Sequence, residues 1–296
     1  MAHQIRSMII PAAGRGTRLL PATKATPKEL LTVYDRPALQ FAIDEAIDLG
    51  VDRIVVVIHP DKGAIRDYLA RDRHYISELR AAGKVALGDA LSGVEVPERI
   101  EIVFVDQPHP LGLGDAILCA DGLTLPGAFG VLLPDDLILG TPCLPEMADH
   151  YRGGHMIAAM EVGPDETDRY GIFSLGEQTI GPRIPVTGMV EKPAPGLAPS
   201  RLAAVGRYIL DPCIFETLRH VRRGAGGEIQ LTDAIARDAG HLLLSAFRFS
   251  GTRHDCGTHD GLLGAAIARQ AAVRARKPGS GLSALSGEER APAGRF

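Results

Sequence analysis

Hydrophobic positions in the first half of the chain fall into two alternating patterns. Short apolar runs at 7–13 (SMIIPAA), 53–58 (RIVVVI), 101–105 (EIVFV) and 129–134 (FGVLLP) predict strands, and the continuous run at 53–58 is the type covered on both faces, because a strand with one wet face alternates apolar and polar. Between them the apolar residues recur at helical spacing. Leu39, Ala42, Ile43, Ala46 and Leu49 share one face of a helix predicted over Pro37–Gly50, with Asp35 or Arg36 at its cap, Pro37 in its first turn and Gly50 ending it. Further helices are expected near 62–82 and 113–121. The rhythm predicts an α/β fold, Rossmann-like and doubly wound around a mostly parallel sheet.

Beyond about residue 140 the rhythm loosens. Strands are expected at 156–162, 170–175, 186–192 and 203–210, separated by Pro- and Gly-rich loops, with helices at 212–222, 229–239 and 258–276. They read as further strands plus a smaller β-rich portion that covers a site. The last twenty residues, 277–296, hold nine Gly, Pro or Ser and no period, so a mobile tail is expected there.

Composition narrows the function classes. The chain has 296 residues, 45% hydrophobic and 23% charged, as in a soluble globular protein. A net charge of −4 and a pI near 6.2 argue against a main role on nucleic acid or membrane surfaces. Any bound anion therefore needs a local concentration of cations. Cys119, Cys143, Cys213 and Cys256 form no CxxC pair, which implies a reducing, cytoplasmic setting. No apolar run approaches the roughly 18 residues of a membrane span, and the N-terminal run is too short for a signal core.

The stretch from Ala12 to Leu31, AAGRGTRLLPATKATPKELL, concentrates cations: Arg15, Arg18, Lys24 and Lys28 against one acid, Glu29. A dinucleotide loop is a poor reading. Leu19 stands where the third glycine belongs, Pro21 and Pro27 interrupt the required helix, and Asp35 precedes a helix start as a cap would. A loop wrapping a triphosphate fits better. Gly14 and Gly16 allow close backbone approach, Arg18 and Lys28 add charge where pyrophosphate leaves, and the prolines hold the loop extended so that the cations converge. A solvated basic loop is the plain alternative.

The pattern G-x-G-T-R-x-x-P…P-K-E resembles the signature of sugar-nucleotide pyrophosphorylases, and GTRLLPATKATPKELL that of the bacterial UTP–glucose-1-phosphate uridylyltransferases in particular. Later segments fit the same resemblance in order: QPHPLGLGDAILCA (107–120), LLPDDLIL (132–139), YGIF (170–173), VTGMVEKP (186–193), AAVGRYIL (203–210), GGEIQLTDAI (226–235) and HDCGTHDG (254–261). The resemblance covers roughly residues 8–265. It implies one nucleotidyltransferase domain, 1–276, with a nucleotide-binding half (1–140) and a sugar-phosphate-binding half (141–276).

By the same resemblance, Ala12, Ala13, Gly14, Gly16 and Thr17 bind the nucleotide, and Gln107 and Gly112 read the base. Arg18, Lys28 and Lys192 carry the transfer. Gly171, Glu191, Lys192, Val205 and Gly206 line the sugar-phosphate pocket. Asp135 and Asp255 hold Mg²⁺, with Asp136 a weaker candidate; carboxylates at a strand's C-terminal end suit magnesium and substrate phosphates. A zinc reading of His254, Cys256 and His259 has no second paired element. The GGEIQLTDAI segment is expected to be structural.

The implied activity is UTP plus α-D-glucose 1-phosphate giving UDP-glucose and pyrophosphate. Alternatives are a thymidylyltransferase, a uridylyltransferase for another sugar 1-phosphate, or a non-catalytic sugar-nucleotide-binding member. The resemblance also implies a homodimer or homotetramer. Arg15 between the glycines and Thr258-His259-Asp260 after D-C-G depart from the family pattern.

Overall fold

The computed structural model of the chain describes residues 5–176, 181–224 and 227–276; the expected tail, 277–296, lies outside them. β1 (Ser7–Ala12) runs into a loop of three 3-10 turns, Thr17–Leu19, Ala22–Lys24 and Lys28–Leu30. A small hairpin, β2 (Thr32–Val33) and β3 (Arg36–Pro37), leads to α1 (Ala38–Leu49) and β4 (Arg53–Ile58). Next come α2 (Gly63–Leu69), α3 (Arg73–Ala81), α4 (Val85–Ser92), β5 (Glu101–Asp106), α5 (Leu113–Leu118) and β6 (Phe129–Leu132). The second half holds β7 (Asp136–Leu139), α6 (Cys143–His150), β8 (His155–Glu161), β9 (Gly171–Leu175), β10 (Arg183–Glu191) and β11 (Leu202–Leu210). It ends with α7 (Ile214–His220), α8 (Leu231–Asp238), β12 (Leu244–Arg248), β13 (Thr252–Asp255) and α9 (His259–Arg276).

Nine strands form one sheet in the order β5-β4-β1-β6-β11-β8-β12-β10-β9. The first four are parallel. β11 then enters antiparallel to both β6 and β8, β12 runs parallel to β8, and the β9–β10 edge is antiparallel. The sheet is therefore mixed, which corrects the expectation of a mostly parallel one. An apolar run records that both faces of a strand are covered; it carries no information about the direction of its neighbour.

Both faces of β1 and β4 are covered, whereas β5, at the sheet edge, is only half-buried. Met8, Ile10, Ala12, Ile54, Val56 and Ile58 pack into one core with α1 and α6. The alternate residues Ile9, Val55 and Val57 face a second core with α5, α7 and α8. Period-two alternation along buried strands thus feeds two helical layers.

Several elements differ from the sequence pattern. The segment 62–82 is two helices: the chain leaves the first at Ala70, in extended backbone, and Asp72 caps α3 by accepting from the Tyr75 N–H. α4 and the strands β7, β12 and β13 carry no clear period. Asp35 does not cap α1: Arg269 on α9 holds both its carboxylate oxygens at 2.9 Å, and Pro37 occupies the cap position.

Parallel register fixes where a ligand can lie. Ala12 pairs with Ile58, and Ile58 with Asp106, so the residues after β1, β4 and β5 emerge along one sheet edge. Adjacent strands there stand about 4.8 Å apart.

Candidate active site

The loop after β1 is folded, not extended. Gly16 sits at φ 65°, and a Cβ there would lie 3.1 Å from Lys28 Cβ and 3.2 Å from Thr23 Cγ2. The hydroxyl of Thr23 donates to Gly16 O at 2.8 Å. From beneath, the Lys62 ammonium donates to Ala12 O (2.7 Å), Gly14 O (2.6 Å) and Glu29 Oε2 (2.8 Å). Tight turns and this buried ammonium shape the loop, in place of the extended prolines expected from sequence. Two of the four loop cations, Arg18 and Lys28, turn toward the acids Asp255 and Asp135. Arg15 and Lys24 line a separate hollow of about 260 Å³ beside His59 and Asp61.

Asp135 and Asp255 approach one cleft, of about 600 Å³, from different parts of the chain. Asp135 follows β6. Asp255 ends β13, which pairs with β7 so that Asp255 faces Asp136, and Cys256 N donates to Asp135 O at 2.7 Å. Lys28 donates to Asp135 Oδ2. Burial alone would raise the Asp135 carboxyl, but the adjacent Lys28 ammonium outweighs it and holds the group below the ordinary carboxylate range. Asp255 Oδ1 accepts from Gly257 N at 3.0 Å, while Arg18 and Arg169 approach Oδ2 at 3.8 and 3.9 Å. Two carboxylates opening on one cleft, each facing protein cations, form an oxygen donor set that fits a hard divalent ion such as Mg²⁺.

Asp136 is committed elsewhere. Its Oδ2 accepts from Gly206 N at 2.6 Å and its Oδ1 from Arg253. A Cβ on Gly206 would stand 2.7 Å from Leu133 Cβ and 2.8 Å from Asp136 Cβ, so only glycine permits this approach. Asp136 thereby positions the strand that carries Val205 and Gly206.

At the β10 end of the cleft, Glu191 Oε2 accepts from Thr232 Oγ1 at 2.7 Å, and Lys192 Nζ lies 3.3 Å from Glu191 Oε1. Lys192 has φ 44°, unusual for a side-chain-bearing residue, and its N–H is tied to Tyr170 O at 3.0 Å. Its ammonium remains half exposed at the cleft, which Gly171, Glu191, Val205 and Gly206 also line. GGEIQLTDAI does more than frame this pocket. Ile229 N donates to Leu111 O and Ile229 O accepts from the Gly114 N–H, tying the loop after β5 to the start of α8 and its Thr232.

Gln107 and Gly112 lie at the opposite end, past β5; neither lines the large cleft, although Leu113 does. Ala12 and Ala13 are buried at the end of β1, whereas Gly14 and Thr17 are exposed. In strand order, Gln107 follows β5, Ala13 and Gly14 follow β1, Asp135 follows β6, and Gly206 lies within the next strand, β11.

Sequence reasoning missed Arg169, Tyr170, Arg253 and Thr232, all of which line the cleft. Arg253 also reaches Tyr170 Oη at 3.1 Å. Each stands within or beside a motif that was recognised, and flanking position was the only available signal. Arg207 was missed as well. It is 1% exposed and donates to Glu45 Oε2 (2.9 Å), Asp136 O (2.7 Å) and Gly206 O (3.1 Å). A lone charge in the apolar run AAVGRYIL was its signature.

The zinc reading finds no geometry: among the described residues His254, Cys256 and His259 do not converge. His155, Cys213 and Asp238 do bring ligand-type atoms within 4.8 Å of one another. There, however, Asp211 N donates to His155 Nδ1 at 3.1 Å, so Nε2 carries the proton and donates it to Asp238 Oδ2 at 3.0 Å. That tautomer leaves no imidazole lone pair for a metal.

Known proteins share this fold. The model of the nucleotidyl transferase family matches residues 7–271. A Bacillus subtilis (strain 168) protein named UTP–glucose-1-phosphate uridylyltransferase YngB is 38% identical over 261 residues, 87% of this chain and 86% of its own. A UTP-bound UGPase structure from Acinetobacter baumannii superposes with a TM-score of 0.82 at 34% identity, covering 95% of this chain and 97% of that one. A UDP-glucose pyrophosphorylase complexed with UDP-glucose gives 0.80 at 34% identity, covering 90% and 99%. With a family match across nearly the whole length and relatives this similar, the chain belongs to the nucleotidyl transferase family.

Proposed function

We propose that the protein is a Mg²⁺-dependent UTP–glucose-1-phosphate uridylyltransferase. The observation that carries this reading is the convergence of Asp135, Asp255, Arg18 and Lys192 on one cleft, with Lys28 bound to Asp135 at its edge and Glu191 at its far side. The names of similar proteins supply the base and the sugar: UTP–glucose-1-phosphate uridylyltransferase for the relative, UTP and UDP-glucose for the solved structures.

The reaction asks for alignment and charge neutralisation more than for covalent chemistry. A phosphate oxygen of glucose 1-phosphate attacks the α-phosphorus of UTP. The bond from that phosphorus to the α–β bridging oxygen breaks, and pyrophosphate leaves with the electron pair. The nucleophile is already an anion at neutral pH, so no general base is required. Lys192 binds the sugar phosphate as a point charge, and Glu191, aimed by Thr232, accepts from sugar hydroxyls. Arg18 and Lys28 face the triphosphate. Mg²⁺, held by Asp135 and Asp255, would supply further neutralisation of phosphate charge when bound. Gly14, Gly16 and the short side chains at 12, 13 and 17 let the nucleotide lie close to the backbone.

The four cysteines are free, in keeping with a reducing cytoplasmic setting, and no helix among the described residues is long and apolar enough to cross a membrane. Leu263 and Ile267, one turn apart and exposed on α9, supply apolar surface for a homodimer or homotetramer.

The test is pyrophosphate release by purified protein with Mg²⁺ and glucose 1-phosphate, run in parallel with UTP, TTP, CTP, ATP and GTP. Release strongest with UTP is the expected result. Release equal or stronger with TTP would keep the chemistry and overturn the base assignment. No release with any nucleotide would overturn the enzyme reading.

A further inference from the structure

Gln107 is 4% exposed, and its amide nitrogen donates twice, to Asp115 Oδ2 at 2.7 Å and to Gly112 O at 3.2 Å. Both partners are acceptors only. An amide turned the other way would set Oε1 against a carboxylate and a carbonyl, so the surroundings admit one orientation. The nitrogen is thereby committed to the protein. Oε1, to which no group donates among the described residues, is the atom left for a ligand.

Asp115 stands in the first turn of α5, where an acid commonly serves the helix's own amides. Its carboxylate instead bonds Gln107, a residue outside the helix. It is half-buried.

We infer that Asp115 is a specificity-determining residue: by holding Gln107 as a fixed acceptor, it makes the site select pyrimidines with an imide N–H over cytosine. Uracil and thymine present N3–H between two carbonyls, which meets Oε1 directly. Cytosine has the same size but a bare N3 lone pair, which meets Oε1 as acceptor against acceptor. Turning the amide to rescue that contact would break both bonds to Nε2 and create two repulsive ones. Discrimination thus arises from a wrong base leaving buried polar groups mispaired. This rests on the reading of Gln107 as the base-contacting residue.

The experiment measures kcat/KM for UTP and CTP, and equilibrium binding of each, for the wild type, Asp115→Leu, Asp115→Asn and Gln107→Leu. Asp115→Leu should reduce the UTP-over-CTP preference by about tenfold to a hundredfold, with KM for glucose 1-phosphate unchanged. Asp115→Asn, which still offers an acceptor oxygen, should retain most of the preference; a purely structural acid would not show that rescue. If Asp115→Leu keeps the wild-type preference while Gln107→Leu loses it, the role of Asp115 is overturned and the base-contacting reading survives. If neither variant changes the preference, the base-contacting reading itself fails and takes this inference with it.

Discussion

Two aspartates stand side by side at 135 and 136, and their surroundings give them different work. Asp135 opens on the cleft against Lys28, whereas both oxygens of Asp136 are occupied by Gly206 N and Arg253. Asp135→Asn should therefore remove a ligand charge worth several kcal/mol of transition-state stabilisation and lower kcat by about a hundredfold or more. The circular dichroism spectrum should not change. A normal kcat would overturn the metal assignment. Lys192→Ala should act on one substrate: KM for glucose 1-phosphate should rise by about tenfold, as expected for losing a single charged contact, with KM for UTP little altered. Equal losses for both substrates would remove Lys192 from the sugar phosphate. These residues were legible because each sits in a local motif with its own spacing. The partition between Asp135 and Asp136 was not, since Arg253 reaches Asp136 across 117 residues of sequence. Arg18 and Lys28 were likewise visible as loop cations, yet nothing local separated them from Arg15 and Lys24, which face a different hollow.

A buried ion pair ties β11 to α1. Arg207 reaches from the strand to Glu45, whose other oxygen accepts from Leu144 N at the start of α6 (2.8 Å). The same guanidinium holds the carbonyls of Asp136 and Gly206, so one charge joins the acid-bearing turn, β11 and two helices. Removing one partner of such a pair leaves the other buried and uncompensated. Glu45→Gln should cost about 3–5 kcal/mol, seen in urea unfolding as a lower midpoint with an unchanged slope. A loss below about 1 kcal/mol would mean the backbone carbonyls alone satisfy Arg207. The helices and strands with a full apolar period, such as α1, β1, β4 and β8, were legible from sequence. β12 and β13 were not, for different reasons. LLLSAFRF at the first is too short to separate strand from helix by period, and TRHD at the second has no apolar pattern, being held by pairing with β7. The break before α3 depends on one cap, Asp72, inside a stretch that otherwise reads as continuous helix.

Over the whole molecule, the two halves expected from sequence share one sheet, since β6 of the first pairs directly with β11 of the second. Alternation of strand and helix made the two-faced α/β plan legible; strand direction was not, because it depends on connections that composition does not encode. A sheet whose cores hold charged groups should also show a pH dependence with two opposite limbs. Glu29 is fully buried, and burial raises its pKa above the ordinary 4.5 despite the Lys62 and Lys28 ammonium groups. Its folded state therefore binds a proton at higher pH than its unfolded state does. Its contribution is complete below the unfolded value and fades as pH rises through the folded one, so acidification through the folded value adds stability from this group. Asp238 has the opposite sign. Burial would raise it, but hydrogen bonds from His155 and Thr217 (2.6 Å) and the nearby His155 and His241 hold it below the ordinary 3.8. Its contribution is present above the unfolded value and is lost as pH falls through the folded one, where the unfolded chain binds more protons. Unfolding free energy measured from pH 7 down to 2 should therefore fall steeply below about pH 4. Asp238→Asn should lower stability at pH 7 by about 1–3 kcal/mol and flatten that acid limb. A variant whose acid limb keeps the wild-type slope would show that other carboxylates drive the acid unfolding and that the Asp238 cluster does not.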